Sequence, residues 1–131
     1  MSTNPPATTP AWRRLARRFG WAGRGIMVHL QTQENARIHV GAAVITIAAG
    51  FFFGITRLEW CAVVLAIGFV MMAEAVNTAI EAIVDLASPE LHPLAGRAKD
   101  VAAGAVLFAA VTAVMIGLLV FGPHVLALVK H

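Results

Sequence analysis

The sequence has few charged residues and almost no cysteine for its length. Only 13% of its 131 residues are Asp, Glu, Lys or Arg, whereas 59% are hydrophobic and the mean hydropathy is +0.76. A soluble globular domain is typically about 45–50% apolar and about 25% charged. The composition therefore favours a membrane protein, and the length allows one domain.

Several functional signatures are also missing. Cys61 is the only cysteine, which excludes an intramolecular disulfide and a CxxC metal pair, and we interpret it as a small buried hydrophobe. No GxxxxGK[ST] loop and no protein-kinase signature occurs, so neither of these nucleotide-binding folds is available. The histidines show no common ligand spacing, and we interpret them as structural or solvated: His29, His39, His92, His124 and His131.

The N-terminal part combines a polar tail with a basic amphipathic segment. Residues 1–10 are small, polar and proline-rich and are predicted to be disordered. Residues 11–34 predict a surface helix, because Trp12, Leu15 and Phe19 share one side while the other side carries Arg13, Arg14, Arg17 and Arg18. Such a helix is typical of an anionic bilayer surface, which suits the arginines better than nucleic acid does. Gly20, Gly23 and Gly25 are expected to break or bend it.

Three apolar segments follow, at about 38–55, 60–87 and 101–121. Each is long enough to cross a hydrocarbon core of about 30 Å. We therefore predict an all-α membrane protein with three transmembrane helices and an N-terminal amphipathic surface helix. A cytoplasmic loop is expected at about 88–100, and the third span is expected to end at Gly122 and Pro123. Arginine and lysine placement favours a cytoplasmic N-terminus and an external C-terminus.

The second apolar segment carries a polar stripe. Glu74, Asn77, Glu81 and Asp85 are spaced i, i+3, i+7 and i+11, so they fall within roughly 80° of arc on an α-helix. Ionisable groups within a membrane helix are rare and usually functional. Three short helices cannot surround this stripe and also leave room for a substrate. A homo-oligomer, most simply a trimer, is therefore expected.

The stripe contains the parts of a phosphoryl-transfer site. Glu81, with Glu34 and Asp85, supplies hard oxygen ligands for Mg²⁺, and Lys99 is a point cation suited to a polyphosphate. Glu74 lies closer to the lipid and can accept a proton from a hydroxyl there. Asn77 can orient Glu74 or a phosphate oxygen. Together these groups provide the metal ligands, the cation and the positioned base that phosphoryl transfer needs.

The alternative function is a small proton-coupled transporter, which would also need a buried glutamate. That hypothesis accounts for Glu74 but leaves Glu81, Asp85, Lys99 and Asp100 without a role. Three spans also cannot be divided into an inverted repeat.

The same residues carry a family resemblance. Residues 74–85 match E-x-x-N-T-A-I-E-x-x-x-D, and A-K-D follows at 98–100. Over about residues 19–121, the chain resembles the prokaryotic diacylglycerol kinase and undecaprenol kinase family. The resemblance implies a three-span membrane kinase with an N-terminal surface helix. It also implies Mg²⁺ and ATP, and a homotrimer with active sites between protomers.

The resemblance assigns roles to individual residues. It implies that Glu74 is the catalytic base and that Glu34 and Glu81 bind the metal. Nucleotide contacts are implied for Lys99 and Asp100, and for the turn formed by Glu90, Leu91, His92, Pro93 and Leu94. Trp21 falls where the family has an aromatic residue near the nucleotide, after a one-residue shift.

The lipid substrate stays open between undecaprenol and diacylglycerol. Residues 33–39 and 100–106 look more like the undecaprenol kinase branch, whereas residues 95–100 look equally like the diacylglycerol kinase branch. Undecaprenol is the preferred hypothesis.

Overall fold

The computed structural model describes residues 10–90 and 92–130, which form four α-helices. These are α1 (Ala11–Thr32), α2 (Glu34–Phe53), α3 (Arg57–Ala87) and α4 (Pro93–Val129). The last three are long and apolar enough to span a membrane. This confirms the predicted class, with three candidate spans after an N-terminal helix. The predicted disordered tail falls on residues 1–9, outside the described residues, and on Pro10, which precedes α1.

The glycines of α1 do not break it, so the first of the two predicted effects, a break or a bend, does not occur. Gly20, Gly23 and Gly25 all lie inside the continuous helix Ala11–Thr32. A glycine in a helix interior costs about 0.5–1 kcal/mol relative to alanine, which weakens a helix without ending it. The chain turns instead at Gln33, whose backbone is extended (φ −107°) and whose N–H donates to the carbonyl of His29. α2 begins at the next residue.

A short turn joins α2 to α3 and makes them antiparallel. Gly54 adopts the left-handed conformation (φ 61°) that a side chain would resist, and its N–H bonds back to α2. Thr56 and Glu59 then form a capping box at the start of α3. The Thr56 N–H donates to Glu59 Oε2 at 2.7 Å, and the Glu59 N–H donates to Thr56 Oγ1 at 3.3 Å.

α3 and α4 form the main helix pair, and a cross-contact at each end defines their register. Near the α2–α3 turn, Glu59 Oε1 lies 3.2 Å from His124 Nε2. At the far end, Lys99 Nζ donates to Asp85 Oδ1 at 2.5 Å. Between them, buried Val63 and Val120 form a hydrophobic cluster with Ile55, Phe53, Trp60, Ile67, Ile116 and Phe121.

The bounds of α4 differ from the predicted ones at both ends. The connection after α3 covers only residues 88–92, rather than the predicted loop over 88–100. Pro93 starts the helix, where a proline is tolerated because the first N–H has no helical partner, and His92 caps it. The helix also continues through Pro123 to Val129. Gly122 permits this, because it has no Cβ to clash with the proline ring.

Helix length relates the polar stripe to a membrane. The 20 residues of α2 rise about 30 Å, which matches a hydrocarbon core. The 31 residues of α3 rise about 46 Å, so α3 extends beyond that thickness. Counted from Arg57, about 30 Å of rise ends near Asn77. Glu74 lies about 26 Å along α3 from Arg57, and Glu81 lies about 36 Å from it.

Much of the apolar surface of a single chain is uncovered. Leu86, Leu58 and Phe108 are each more than three-quarters exposed, and many other large side chains on the three long helices are exposed. Cys61 is also exposed, contrary to the interpretation as a buried hydrophobe, because it lies on the side of α3 opposite buried Val63. Such a surface requires lipid or other copies of the chain to cover it.

Replacing Gly50 with alanine is expected to destabilise the α2–α3 hairpin. A Cβ there would lie 2.7 Å from Trp60 Cη2 and 2.9 Å from Trp60 Cζ2. The indole itself packs on Phe51, with ring centroids 4.9 Å apart, so it has little freedom to withdraw. Overpacking of this kind costs about 1–3 kcal/mol and should lower the Tm in mild detergent.

Gly41→Ala on the same helix is the matched control for Gly50→Ala. A Cβ at Gly41 meets nothing within 4 Å. Losing a glycine from a helix interior should therefore stabilise this variant by up to about 1 kcal/mol. Equal Tm values for the two variants would contradict the packing of Gly50 against Trp60.

Candidate active site

The polar stripe of α3 continues the face that packs the hydrophobic core. Val63, Val70, Glu74 and Asn77 are all buried and recur at helical spacing along that face. Glu74 is 2% exposed and Asn77 is 7% exposed. The predicted base is thus among the most enclosed side chains of the described chain.

Small side chains of α4 face this part of α3. Glu59 of α3 contacts His124 of α4. The number of residues from Glu59 to Glu74 equals the number from His124 back to Ala109, so Glu74 and Ala109 lie at the same height in the helix pair. Ala109 is 0% exposed, and Ala102, two helical turns closer to the start of α4, is 6% exposed. Small residues let helix backbones approach closely. The alanine face of α4 therefore leaves room for a carboxylate between the helices.

Asn77 makes its side-chain contact with Glu81. Its Nδ2 donates to Glu81 Oε1 at 3.1 Å, one turn further along α3. The amide therefore orients Glu81. The sequence had suggested that Asn77 orients either Glu74 or a phosphate oxygen, and the structure does not show the contact with Glu74. Asn77 Oδ1 is buried and has no hydrogen-bond partner among the described residues.

Asp85 and Lys99 form an ion pair at the water-exposed end of the stripe. Their side chains are 66% and 37% exposed, respectively, and the pair joins α3 to α4. An exposed ion pair contributes about 0–1 kcal/mol to stability. It leaves the Lys99 ammonium, with two further N–H donors, beside the end of the stripe.

Hydrogen bonds within the connection order the turn that leads into α4. Ser88 Oγ donates to the Glu90 carbonyl at 3.1 Å, and the Leu94 N–H donates to His92 Nδ1 at 3.2 Å. His92 thus acts as the helix N-cap, and Pro93 is the first helical residue. The N-terminus of a long helix attracts phosphate through its free N–H groups and its dipole.

Among the described residues, the other predicted site residues make no side-chain hydrogen bond or ion pair with this cluster. Glu34 is exposed in the first turn of α2, Trp21 is 43% exposed on α1, and Asp100 and Glu90 are exposed. Leu91 lies outside the described residues. Among the described residues, no three His, Cys, Asp or Glu side chains converge on a point that could hold a metal ion.

His29 is a candidate that the sequence did not reveal. It is 8% exposed, and neither ring nitrogen has a hydrogen-bond partner among the residues described. It lines a groove of about 650 Å³ between α1 and α3, next to Met71, Ala75 and Thr78. A lone histidine on a helix carries no local signal of burial, because burial depends on how α1 lies against α3.

Asn77→Asp is expected to destabilise the protein by about 1–3 kcal/mol. It removes the donor to Glu81 and sets a second buried carboxylate against it. Thermal unfolding in mild detergent measures the effect. Asn35→Asp is the control, because Asn35 is exposed in the first turn of α2, where negative charge is favoured. If both variants unfold at the same temperature, the Asn77–Glu81 contact does not contribute to the stability of the fold.

Comparison with known proteins identifies the family. The family model described as prokaryotic diacylglycerol kinase matches residues 20–121. An undecaprenol kinase of Bacillus subtilis is 44% identical over 110 residues, covering 84% of this chain and 89% of that protein.

Two further relatives carry the name diacylglycerol kinase. The protein from Synechocystis sp. is 39% identical over 112 residues, which are 85% of this chain and 63% of that protein. The protein from Escherichia coli is 27% identical over 116 residues, which are 88% of this chain and 95% of that protein. The chain belongs to the prokaryotic diacylglycerol kinase family and is a lipid kinase.

Proposed function

We propose that this kinase transfers the γ-phosphoryl group of Mg²⁺-bound ATP to the hydroxyl of a membrane lipid alcohol. The observation that carries the proposal is the depth gradient along α3. Buried Glu74 is followed by Asn77 with its bonded partner Glu81, and then by exposed Asp85 paired with Lys99. A lipid hydroxyl and a water-soluble nucleotide must meet across this boundary.

Glu74 is the proposed general base. Its carboxylate is enclosed at the level where a lipid hydroxyl would sit, between α3 and the alanine face of α4. It takes the proton of that hydroxyl as the oxygen attacks the γ-phosphorus. The bond between the γ-phosphorus and the bridging oxygen to the β-phosphate breaks at the same time, and ADP leaves. Deep burial excludes water, which would otherwise compete as the acceptor.

Glu81 and Glu34 are the proposed metal ligands. Mg²⁺ bound to ATP neutralises charge on the phosphates and is held in such sites by one or two carboxylates. Glu81 fits this use, because Asn77 orients one of its oxygens. Glu34 is exposed at the start of α2 and available to the same or a neighbouring site.

Lys99 and the start of α4 are the proposed nucleotide contacts. Lys99 lies beside Asp85 at the wet end of the stripe, where an ammonium group suits a polyphosphate. The turn through Glu90, Leu91, His92, Pro93 and Leu94 leads into the N-terminus of α4, which favours phosphate. Asp100, Asn77 and Trp21 complete the proposed set, with Trp21 approaching from α1.

The active form is proposed to be a homotrimer with sites shared between protomers, in the bacterial inner membrane with the N-terminus in the cytoplasm. Two observations support an oligomer. Glu34 is exposed at the start of α2, where a second protomer could complete a site, and the long helices leave large apolar faces uncovered. A monodisperse monomer with full activity in mild detergent would refute it.

Undecaprenol is the proposed acceptor, with diacylglycerol as the competing one. The undecaprenol kinase of Bacillus subtilis aligns over most of both chains. A side-by-side assay in mixed micelles with Mg²⁺-ATP decides between the two alcohols. The transporter alternative accounts only for Glu74, and membership of a kinase family argues against it.

Glu74→Gln is expected to abolish lipid phosphorylation while leaving the oligomer assembled. The amide keeps the size of the side chain but cannot act as a base. Radiolabelled phosphate incorporation and size-exclusion chromatography measure the two properties. Glu59→Gln makes the same change at the opposite end of α3 and should retain activity. A near-normal turnover rate in Glu74→Gln would show that Glu74 is not the general base.

Glu81→Ala is expected to weaken the use of Mg²⁺-ATP more than the binding of lipid. Loss of one carboxylate ligand should raise the Mg²⁺ concentration needed for half-maximal rate by about tenfold or more. The lipid KM should change by less than about twofold, since Glu81 lies on the water side of Glu74. An unchanged Mg²⁺ dependence would count against its role as a ligand.

A further inference from the structure

Asp85 belongs to the polar stripe of α3 but takes no part in the proposed transfer. It lies one turn beyond Glu81, and its side chain is 66% exposed. Its Oδ1 accepts a hydrogen bond from Lys99 Nζ at 2.5 Å, across the gap between α3 and α4. The carboxylate is therefore engaged with the proposed nucleotide contact.

The packing of α4 directs Lys99 towards Asp85. Lys99 lies one turn after half-buried Ala95 and one turn before buried Ala102. Ala102 and Ala109 belong to the face of α4 that packs against α3, and residues three and four apart share a helix face. The Lys99 side chain thus leaves α4 on the side that faces α3, where it is 37% exposed.

A lysine released from Asp85 would have a second carboxylate to bind. Glu81 lies one turn away on the same face of α3, and a lysine ammonium moves on a flexible four-carbon stem. Asn77 already donates to one oxygen of Glu81. An ammonium bound to Glu81 would compete with Mg²⁺ for the same carboxylate. The pair with Asp85 therefore keeps the cation of the protein apart from the proposed metal ligand.

The pair also prepares Lys99 for a polyphosphate. An ammonium group has three N–H donors, and the bond to Asp85 uses one of them. The other two stay available for phosphate oxygens. A side chain that is held in place before binding loses less conformational freedom when the ligand arrives, and this improves affinity.

We propose that Asp85 is a positioning residue that holds the Lys99 ammonium ready for the nucleotide phosphates and keeps it away from Glu81. The inference rests on the proposed use of Mg²⁺-bound ATP and deepens it. Asp85 touches neither the phosphates nor the metal ion, and it acts only through Lys99.

The first test measures the kinetics of Asp85→Asn with Mg²⁺-ATP and a lipid alcohol in mixed micelles. The KM for ATP should rise about fivefold, because Lys99 is no longer held in place. The Mg²⁺ concentration needed for half-maximal rate should rise as well, because the released ammonium competes for Glu81. The lipid KM should change by less than about twofold. Asp85→Glu keeps the charge, and the flexible lysine should adjust to it, so its ATP KM should stay within about twofold of wild type.

The second test repeats Asp85→Asn in a Lys99→Gln background. A residue that acts only through Lys99 has nothing to position once the ammonium is gone. Asp85→Asn should therefore raise the ATP KM of Lys99→Gln by less than about twofold, against about fivefold in wild type. Its effect on the Mg²⁺ requirement should disappear in the same background.

Glu59→Gln is the matched control for a general loosening of the α3–α4 pair. It removes a carboxylate that contacts α4 at the opposite end of the pair, through His124. Its ATP KM and Mg²⁺ requirement should stay within about twofold of wild type. The Tm of Asp85→Asn should change by less than about 4 °C, because an exposed ion pair contributes little to stability.

Three results would overturn the inference. An unchanged ATP KM in Asp85→Asn would show that the pair does not position Lys99. An unchanged ATP KM in Lys99→Gln would leave no nucleotide contact to position. Additive effects in the double variant would show that Asp85 acts on the nucleotide or the metal ion itself. Failure of the proposed function is distinct from all three, because wild type itself would then phosphorylate no lipid alcohol.

Discussion

Enclosure of the Glu74 carboxylate is the constraint on which the rest of the structure depends. A carboxylate removed from water carries a large desolvation penalty, so a helix keeps one in an apolar layer only when the surroundings accommodate it. Here α4 presents alanine at the same level, and Ala109 is 0% exposed. The next polar group, Asn77, is engaged with Glu81 towards the water side. The proposed base is therefore also one of the most buried side chains, and it lies at the level where α3 packs against the alanine side chains of α4.

The end of the α3–α4 pair next to the α2–α3 turn maintains that arrangement. The capping box of Thr56 and Glu59, the Glu59–His124 contact and the aromatic side chains around Phe53 hold the hairpin end together. Phe53 contacts both Phe121 and His124, with ring centroids 6.0 and 5.8 Å apart, respectively. Because two helices behave as nearly rigid rods, register set at this end carries through to Asp85 and Lys99. A slip of one residue would rotate the stripe away from α4.

Helix number and the site stripe were predictable, whereas helix ends were not. Transfer to lipid is roughly additive over residues, so long apolar runs reveal spans without knowledge of packing. The break considered at Gly20, Gly23 and Gly25 does not occur, because three small propensity penalties do not end a helix. The start of α4 at Pro93 was missed, because charged residues 97–100 were taken as a loop rather than as a helix projecting beyond the membrane.

The sequence alone determined the membrane class, the polar face of α3 and, by its motifs, the lipid kinase family. Each of these depends on composition or on the spacing of residues within one segment. Such spacing can be interpreted from the helical period of 3.6 residues alone. Only the tertiary structure decided that Asp85 pairs with Lys99, that Glu59 meets His124, and that His29 is enclosed with unpaired nitrogens. Those facts depend on the register and rotation of one helix against another. No local pattern specifies either, because they follow from packing between segments distant in the chain.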